Sequence, residues 1–209
     1  VFVQEEALDE AARLEILDYE RAGHIIASAK HMGVSMCYCR HKKGHLGTAC
    51  DAPMDICMTF NTAAASLIKH GHARAVDKGE GLDLLQQACE SGLVQFGENN
   101  REGVNFICNC CGCCCEALAA VKRFGIVQTM HSNFIISLDE DKCLACGKCS
   151  RACPVNALHT PAASEEAAPI AKPRRTPPDL REDICLGCGV CVRVCPAGCL
   201  KLTRRPGRT

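Results

Sequence analysis

Eight cysteines of this chain fall into two runs of identical spacing. Cys143, Cys146, Cys149 and Cys153, followed by Pro154, read C-x2-C-x2-C-x3-C-P; Cys185, Cys188, Cys191 and Cys195, followed by Pro196, repeat it. Three thiolates at intervals of three let a tight loop wrap one face of an iron–sulfide cube. This is the spacing of 4Fe–4S ligation, in which the fourth cysteine of each run serves the other cluster. The spacing predicts two 4Fe–4S clusters, one held by Cys143, Cys146, Cys149 and Cys195, the other by Cys185, Cys188, Cys191 and Cys153. Gly147 and Gly189 let backbone N–H groups approach the sulfurs. Zinc is the competing ion, but a tetrahedral zinc site pairs two C-x2-C units across a spacer and does not need four cysteines in one short run.

A second crowd of thiols lies upstream. Cys37, Cys39, Cys50 and Cys57 stand in "CYCRHKKGHLGTACDAPMDIC", and Cys108, Cys110, Cys111, Cys113, Cys114 and Cys115 in "ICNCCGCCC". Packing does not account for ten clustered cysteines, because neighbouring thiols gain little from one another while thiolates gain much from iron or zinc. One or two further Fe–S clusters, of the 4Fe–4S type, are expected from the two clumps together, with zinc as the alternative. The spacing does not select four ligands; Cys37, Cys50, Cys57 and one or more from Cys110 to Cys114 are favoured. Cys89 stands apart on a helical pattern and reads as a small buried hydrophobe. Cys199, in "CPAGC", reads as an unligated thiol near the Cys185 cluster. Arg40, His41, Lys42, Lys43 and His45 read as a basic loop beside Cys39, where cations would offset the charge of an anionic cluster. His41 or His45 as a direct ligand is disfavoured by the surplus of cysteine.

These residues must be positioned by a chain that reads as helical first and loop-rich later. Apolar periodicity predicts helices over about 4–16, 19–31, 59–70 and 80–91, and a fifth begins at "CCCEALAAVKRF" with Glu116 favourably placed in its first turn. "VSMCYC" reads as a strand, and "GLVQFGENNREGVNFICNC" as a hairpin. From about Asn133 short strands and cysteine loops take over. "DEDKCLACGKCSRACPVNAL" and "LREDICLGCGVCVRVCPAGCL" are an internal repeat, which suggests two sites related by pseudo-twofold symmetry. A Pro/Ala-rich insertion at about 159–178 separates them, and "RRPGRT" reads as a mobile basic tail. The expected class is α+β, with a mainly helical Cys-rich domain over 1–131 and a two-cluster domain over 132–209.

The chain has 209 residues, 20 of them cysteine, no Trp, and a formal net charge of zero. Neutrality argues against a non-specific nucleic-acid binder. No apolar run is long enough for a membrane span. Thiols at this density persist as ligands in a reducing or anaerobic compartment, so a cytoplasmic location is expected.

The repeated motif resembles the two-cluster bacterial ferredoxin family over residues 133–204, departing from it in the long connection between Cys153 and Cys185. "CYCRH", the following "CDAPMDIC" and "ICNCCGCCC" ahead of it resemble a set of uncharacterised ferredoxin-domain proteins of anaerobes. Cys110-Cys111-Gly112 is also similar to the CCG motif of heterodisulfide-reductase-type subunits. These resemblances imply electron transfer.

No dinucleotide fingerprint, P-loop or H-E-x-x-H occurs, so one-electron transfer through three or more clusters is the simplest chemistry. Neutral charge, unlike the acidity of free bacterial ferredoxins, suggests an electron-relay subunit of a larger anaerobic oxidoreductase complex, with other subunits or redox proteins as partners. A reductase with a substrate-binding cluster in the amino-terminal half is the alternative. A redox-sensing regulator is a third, because residues 59–107 also suit a winged helix; the acidity of its second helix argues against DNA contact.

Overall fold

The computed structural model describes residues 1–98, 100, 103–125, 130–160 and 176–207. It is mixed helix and strand, compatible with α+β. The amino-terminal stretch forms α1 (Glu10–Glu15) and α2 (Ala22–Ser28). The expected helix over 4–16 is therefore shorter, with Asp9 capping α1 by accepting from the Ala12 N–H at 2.7 Å.

Next come β1 (Met32–Met36), α3 (Tyr38–His45), β2 (Asp55–Phe60), α4 (Asn61–Lys69), β3 (Arg74–Ala75) and α5 (Lys78–Glu90). β4 (Val94–Gly97), β5 (Phe106–Cys110) and α6 (Glu116–Phe124) follow. The basic stretch after Cys37 is thus the helix α3 and not a loop. β4 and β5 pair antiparallel, Val94 opposite Cys110, within a five-stranded sheet ordered β3-β1-β2-β5-β4. A half expected to be mainly helical is organised around this sheet.

Side chains alternate across a strand, and the sheet uses both faces. Met58, Phe60 and Ile107 point to one side and pack with Ile26, Met32, Ala22 and Phe2 under α2 and α5. Cys57, Cys108, Cys110, Val94 and Phe96 occupy the other side. Met58 pairs with Ile107, so Cys57 and Cys108 are cross-strand neighbours one step along.

The last part holds β6 (Phe134–Leu138), α7 (Lys148–Ala152), β7 (Leu158–His159), β8 (Asp179–Leu180), α8 (Val190–Arg193) and β9 (Leu200–Arg204). β6 pairs with β9 and β7 with β8, both antiparallel. Most of the Pro/Ala-rich stretch at 159–178 lies outside the described residues.

The largest apolar cluster crosses the expected boundary at residue 131. Val94, Cys110, Cys115, Leu118 and Val121 pack with Phe134, Val155, Leu186, Leu200 and Leu202. The first residues stitch the halves together: Gln4 N–H donates to Cys188 O at 3.1 Å, Phe2 N–H to Gln95 O at 3.0 Å and Asp9 N–H to Leu202 O at 3.1 Å. The beginning of the expected tail is held down: Arg204 ends β9 and pairs with Glu15 and Glu20, and Arg205 donates to Phe134 O at 3.0 Å.

Candidate metal centres

β6 and β9 form a platform on which the two cysteine loops fold back. Cys153, Cys185, Cys188 and Cys191 line one cavity, closed by Ile136, Leu158, Leu180 and Leu186. Cys143, Cys146, Cys149 and Cys195 line a second. Each cavity thus gathers three cysteines of one run and the last cysteine of the other.

The loops are shaped by left-handed backbone. Gly147 (φ 69°) and Gly189 (φ 92°) precede α7 and α8, and two residues earlier stand Ala145 (φ 45°) and Gly187 (φ 65°). Such turns aim N–H groups at sulfur. Ala145 N–H donates to Cys143 Sγ at 3.4 Å, and Ala157 N–H to Cys153 Sγ at 3.1 Å. Gly187 has no room for a side chain, since a Cβ would lie 2.0 Å from Phe134 O.

Burial pushes the Cys188 thiol up to about 12 and raises Cys191 well above its ordinary value. Burial also raises Cys185, against the N–H groups of Gly187 and Ile136. Thiolates are disfavoured in such a pocket unless a cationic core sits among them. An all-thiolate donor set with N–H···S bonds, wrapped in apolar side chains, fits iron–sulfur ligation. Arg205 donates to Cys185 O at 2.6 Å, placing a cation beside the first cavity. Cys199 lines the Cys143 cavity, not the Cys185 one, with its sulfur 3.3 Å from Cys195 Sγ. The five-residue frame "CPAGC" turns back on itself, which carries Cys199 to the site that Cys195 serves.

The ten upstream cysteines sort into two groups. Cys50, Cys111, Cys113 and Cys114 converge, with all four sulfurs within 4.8 Å of one another. The second group runs along the cysteine face of the sheet. Cys37 adjoins Cys57, Cys57 adjoins Cys108, and Cys108 adjoins Cys110. Cys110 in turn meets Cys115, and Cys39 lies near Cys115 and Cys37. Cys50 therefore sits apart from Cys37 and Cys57, with which the sequence favoured it. Contact with the Cys110 thiol, and then the N–H groups of Leu118 and Ala117 opening α6, bring Cys115 down to about 6 against the effect of burial.

Arg40 is the functional residue that sequence reasoning undervalued. It is 0% exposed, with Nη2 donating to Asn109 O at 2.8 Å and Nη1 to Pro53 O. Its guanidinium lies beside Cys111, with Cys37 and Cys50 nearby. Burial raises the Cys111 thiol, but Arg40, the Cys114 N–H and the adjacent thiols bring it down to about 7. The signal was its place one turn into a helix capped by Cys37, which points it inward, whereas Lys42 and Lys43 face Glu116 outside. His41 and His45 face each other at 3.1 Å. Cys89 is buried on α5, its sulfur 3.7 Å from Gln95 Oε1.

Residues 142–199 match the family model for the 4Fe-4S dicluster domain. This stretch is a ferredoxin-type domain, and the match supports iron–sulfur binding and an electron-transfer role. No curated protein matches the chain. Among the described residues no helix is long and apolar enough to cross a membrane.

Proposed function

From the premise of a 4Fe–4S dicluster domain at 142–199, we propose that the chain is a multi-centre electron relay, acting as a subunit of a larger anaerobic oxidoreductase. Cys143, Cys146, Cys149 and Cys195 hold one 4Fe–4S cluster; Cys185, Cys188, Cys191 and Cys153 hold the other. Cys37, Cys57, Cys108, Cys110 and Cys115, with Cys39 beside them, supply a further Fe–S centre. A bound cluster supplies a site that takes up and returns one electron.

The remaining work belongs to the chain. Ile136, Leu158, Leu180 and Leu186 keep water from the Cys185 cavity. N–H groups of Ala145 and Ala157 meet negative charge on sulfur, and Arg205 adds a cation at the rim. These contacts stabilise the reduced state and set the potential within the range open to such centres.

The observation that carries the reading is the contact between Gly112 and Pro154. A Cβ on Gly112 would lie 2.3 Å from Pro154 O. Gly112 sits in the upstream crowd, and Pro154 follows Cys153. The upstream thiols and the Cys185 cavity therefore lie against each other, which brings centres built on them close together.

Iron and acid-labile sulfide, measured per chain on protein purified without air, test it. About twelve of each are expected from three four-iron clusters. About eight of each would remove the upstream centre, and neither element would end the reading.

A further inference from the structure

We propose that Cys50, Cys111, Cys113 and Cys114 form a closed site for a single zinc ion, separate from the iron–sulfur centres. The sulfur spacing leads to this assignment. Cys50 Sγ lies 3.6 Å from Cys111 Sγ and 3.8 Å from Cys114 Sγ, and Cys113 Sγ lies 3.8 Å from Cys114 Sγ. Four sulfurs at the Zn–S distance of about 2.3 Å and tetrahedral angles stand about 3.8 Å apart. A four-iron cube pushes its thiolates to its corners, farther apart than one ion does. The cysteines around the two dicluster cavities do not form such a compact set among the described residues.

Four donors fill a tetrahedron and leave no open position, which is the mark of a structural site. For equal thiolate ligands zinc binds more tightly than ferrous iron. The site ties the loop carrying Cys50, between α3 and β2, to the turn ahead of α6. It adds to the contacts that already hold these segments, Arg40 to Pro53 O and Lys122 to Gly112 O, at a place where Cys113 is exposed and Cys50 and Cys111 are half-buried.

Arg40 supplies the second, independent observation. Its side chain is wholly buried beside Cys111 and Cys50, its Nε has no hydrogen-bond partner, and its Nη groups donate to two neutral carbonyls with the Cys111 sulfur beside them. A buried guanidinium needs an anion. Zinc with four thiolates carries two negative charges, and Arg40 lies where it neutralises one of them.

The arrangement also explains the crowding of "CCGCCC". Cys110 and Cys115 turn to the sheet face, while Cys111, Cys113 and Cys114 turn to the zinc. One short turn thus serves two metal centres, with Gly112 between them free to lie on Pro154.

The experiment uses the whole chain, produced with both iron and zinc supplied and purified without air. Zinc, iron and sulfide are measured per chain, and X-ray absorption is recorded at the zinc edge. About one zinc per chain, surrounded by four sulfurs at about 2.3 Å with no metal neighbour beyond, is expected. The Cys50→Ala, Cys113→Ala double variant should lose at least nine-tenths of that zinc and keep its iron and sulfide. Wild-type protein without zinc, zinc with nitrogen or oxygen ligands, or iron in the same four-sulfur shell would overturn the assignment. So would a folded double variant that loses iron and sulfide while keeping zinc. If the double variant fails to fold, the wild-type absorption data decide alone. The iron and sulfide values read the relay proposal separately, so either reading can fail without the other.

Discussion

Gly112 lies on Pro154 so closely that a methyl group between them would sit 2.3 Å from the Pro154 carbonyl oxygen. The contact joins the turn between β5 and α6, which bears Cys111, Cys113 and Cys114, to the residue following Cys153. Lys122 Nζ reinforces the turn by donating to Gly112 O. Gly112→Val forces the two backbones apart, and overpacking of this kind costs about 1–3 kcal/mol. A lowered denaturation midpoint is expected, together with weaker magnetic coupling between reduced centres in the electron paramagnetic resonance spectrum. An unchanged coupling would show that this contact does not set the distance between the centres.

Arg40→Met removes a buried cation from among Cys37, Cys50 and Cys111 and strands the carbonyls of Pro53 and Asn109. Breaking a buried charge pair on one side costs about 3–5 kcal/mol. Urea unfolding should show a loss of that order, with zinc lost before iron. Arg40→Lys should restore little, because a single ammonium cannot reach two carbonyls and a sulfur with the geometry of a guanidinium fork.

Cys199 stands 3.3 Å from Cys195 and reaches the same cavity, so it can replace that ligand. Cys195→Ser is therefore expected to keep most of its iron, whereas a Cys195→Ser, Cys199→Ser double variant should lose about four iron and four sulfide. Cys153→Ser, with no spare cysteine among the residues lining its cavity, should lose them as a single change. Equal iron loss in Cys195→Ser and Cys153→Ser would exclude the substitution.

Arg205 donates to the carbonyl of Cys185 and to that of Phe134. Its positive charge favours the more negative, reduced state of the nearby centre. Arg205→Gln should lower one midpoint potential by some tens of millivolts, about 59 mV being a tenfold change in a one-electron equilibrium. A potentiometric titration checks this, and the second dicluster potential should move less.

What could be read before folding followed from residue type and spacing. The two C-x2-C-x2-C-x3-C-P runs fix a local loop, so their chemistry is visible in one dimension. The β4–β5 hairpin was visible for the same reason: two β-prone runs flank a polar turn. The upstream grouping was not visible, because it depends on strand register. Cys57 reaches Cys108 only because Met58 pairs with Ile107, and no local pattern states that pairing. Arg40 was read as a loop cation because its basic neighbours mask the one helical position that points inward. Cys199 was placed beside the wrong cavity because the chain reverses within "CPAGC".

Counting electrons tests most directly whether these sulfurs exist to hold iron and move charge. The chain, purified without air, is reduced stepwise at controlled potential while its visible thiolate-to-iron absorbance is followed. About three electrons per chain, one for each cluster, should enter with bleaching and leave again on reoxidation. A colourless chain that accepts no electrons would contradict the relay.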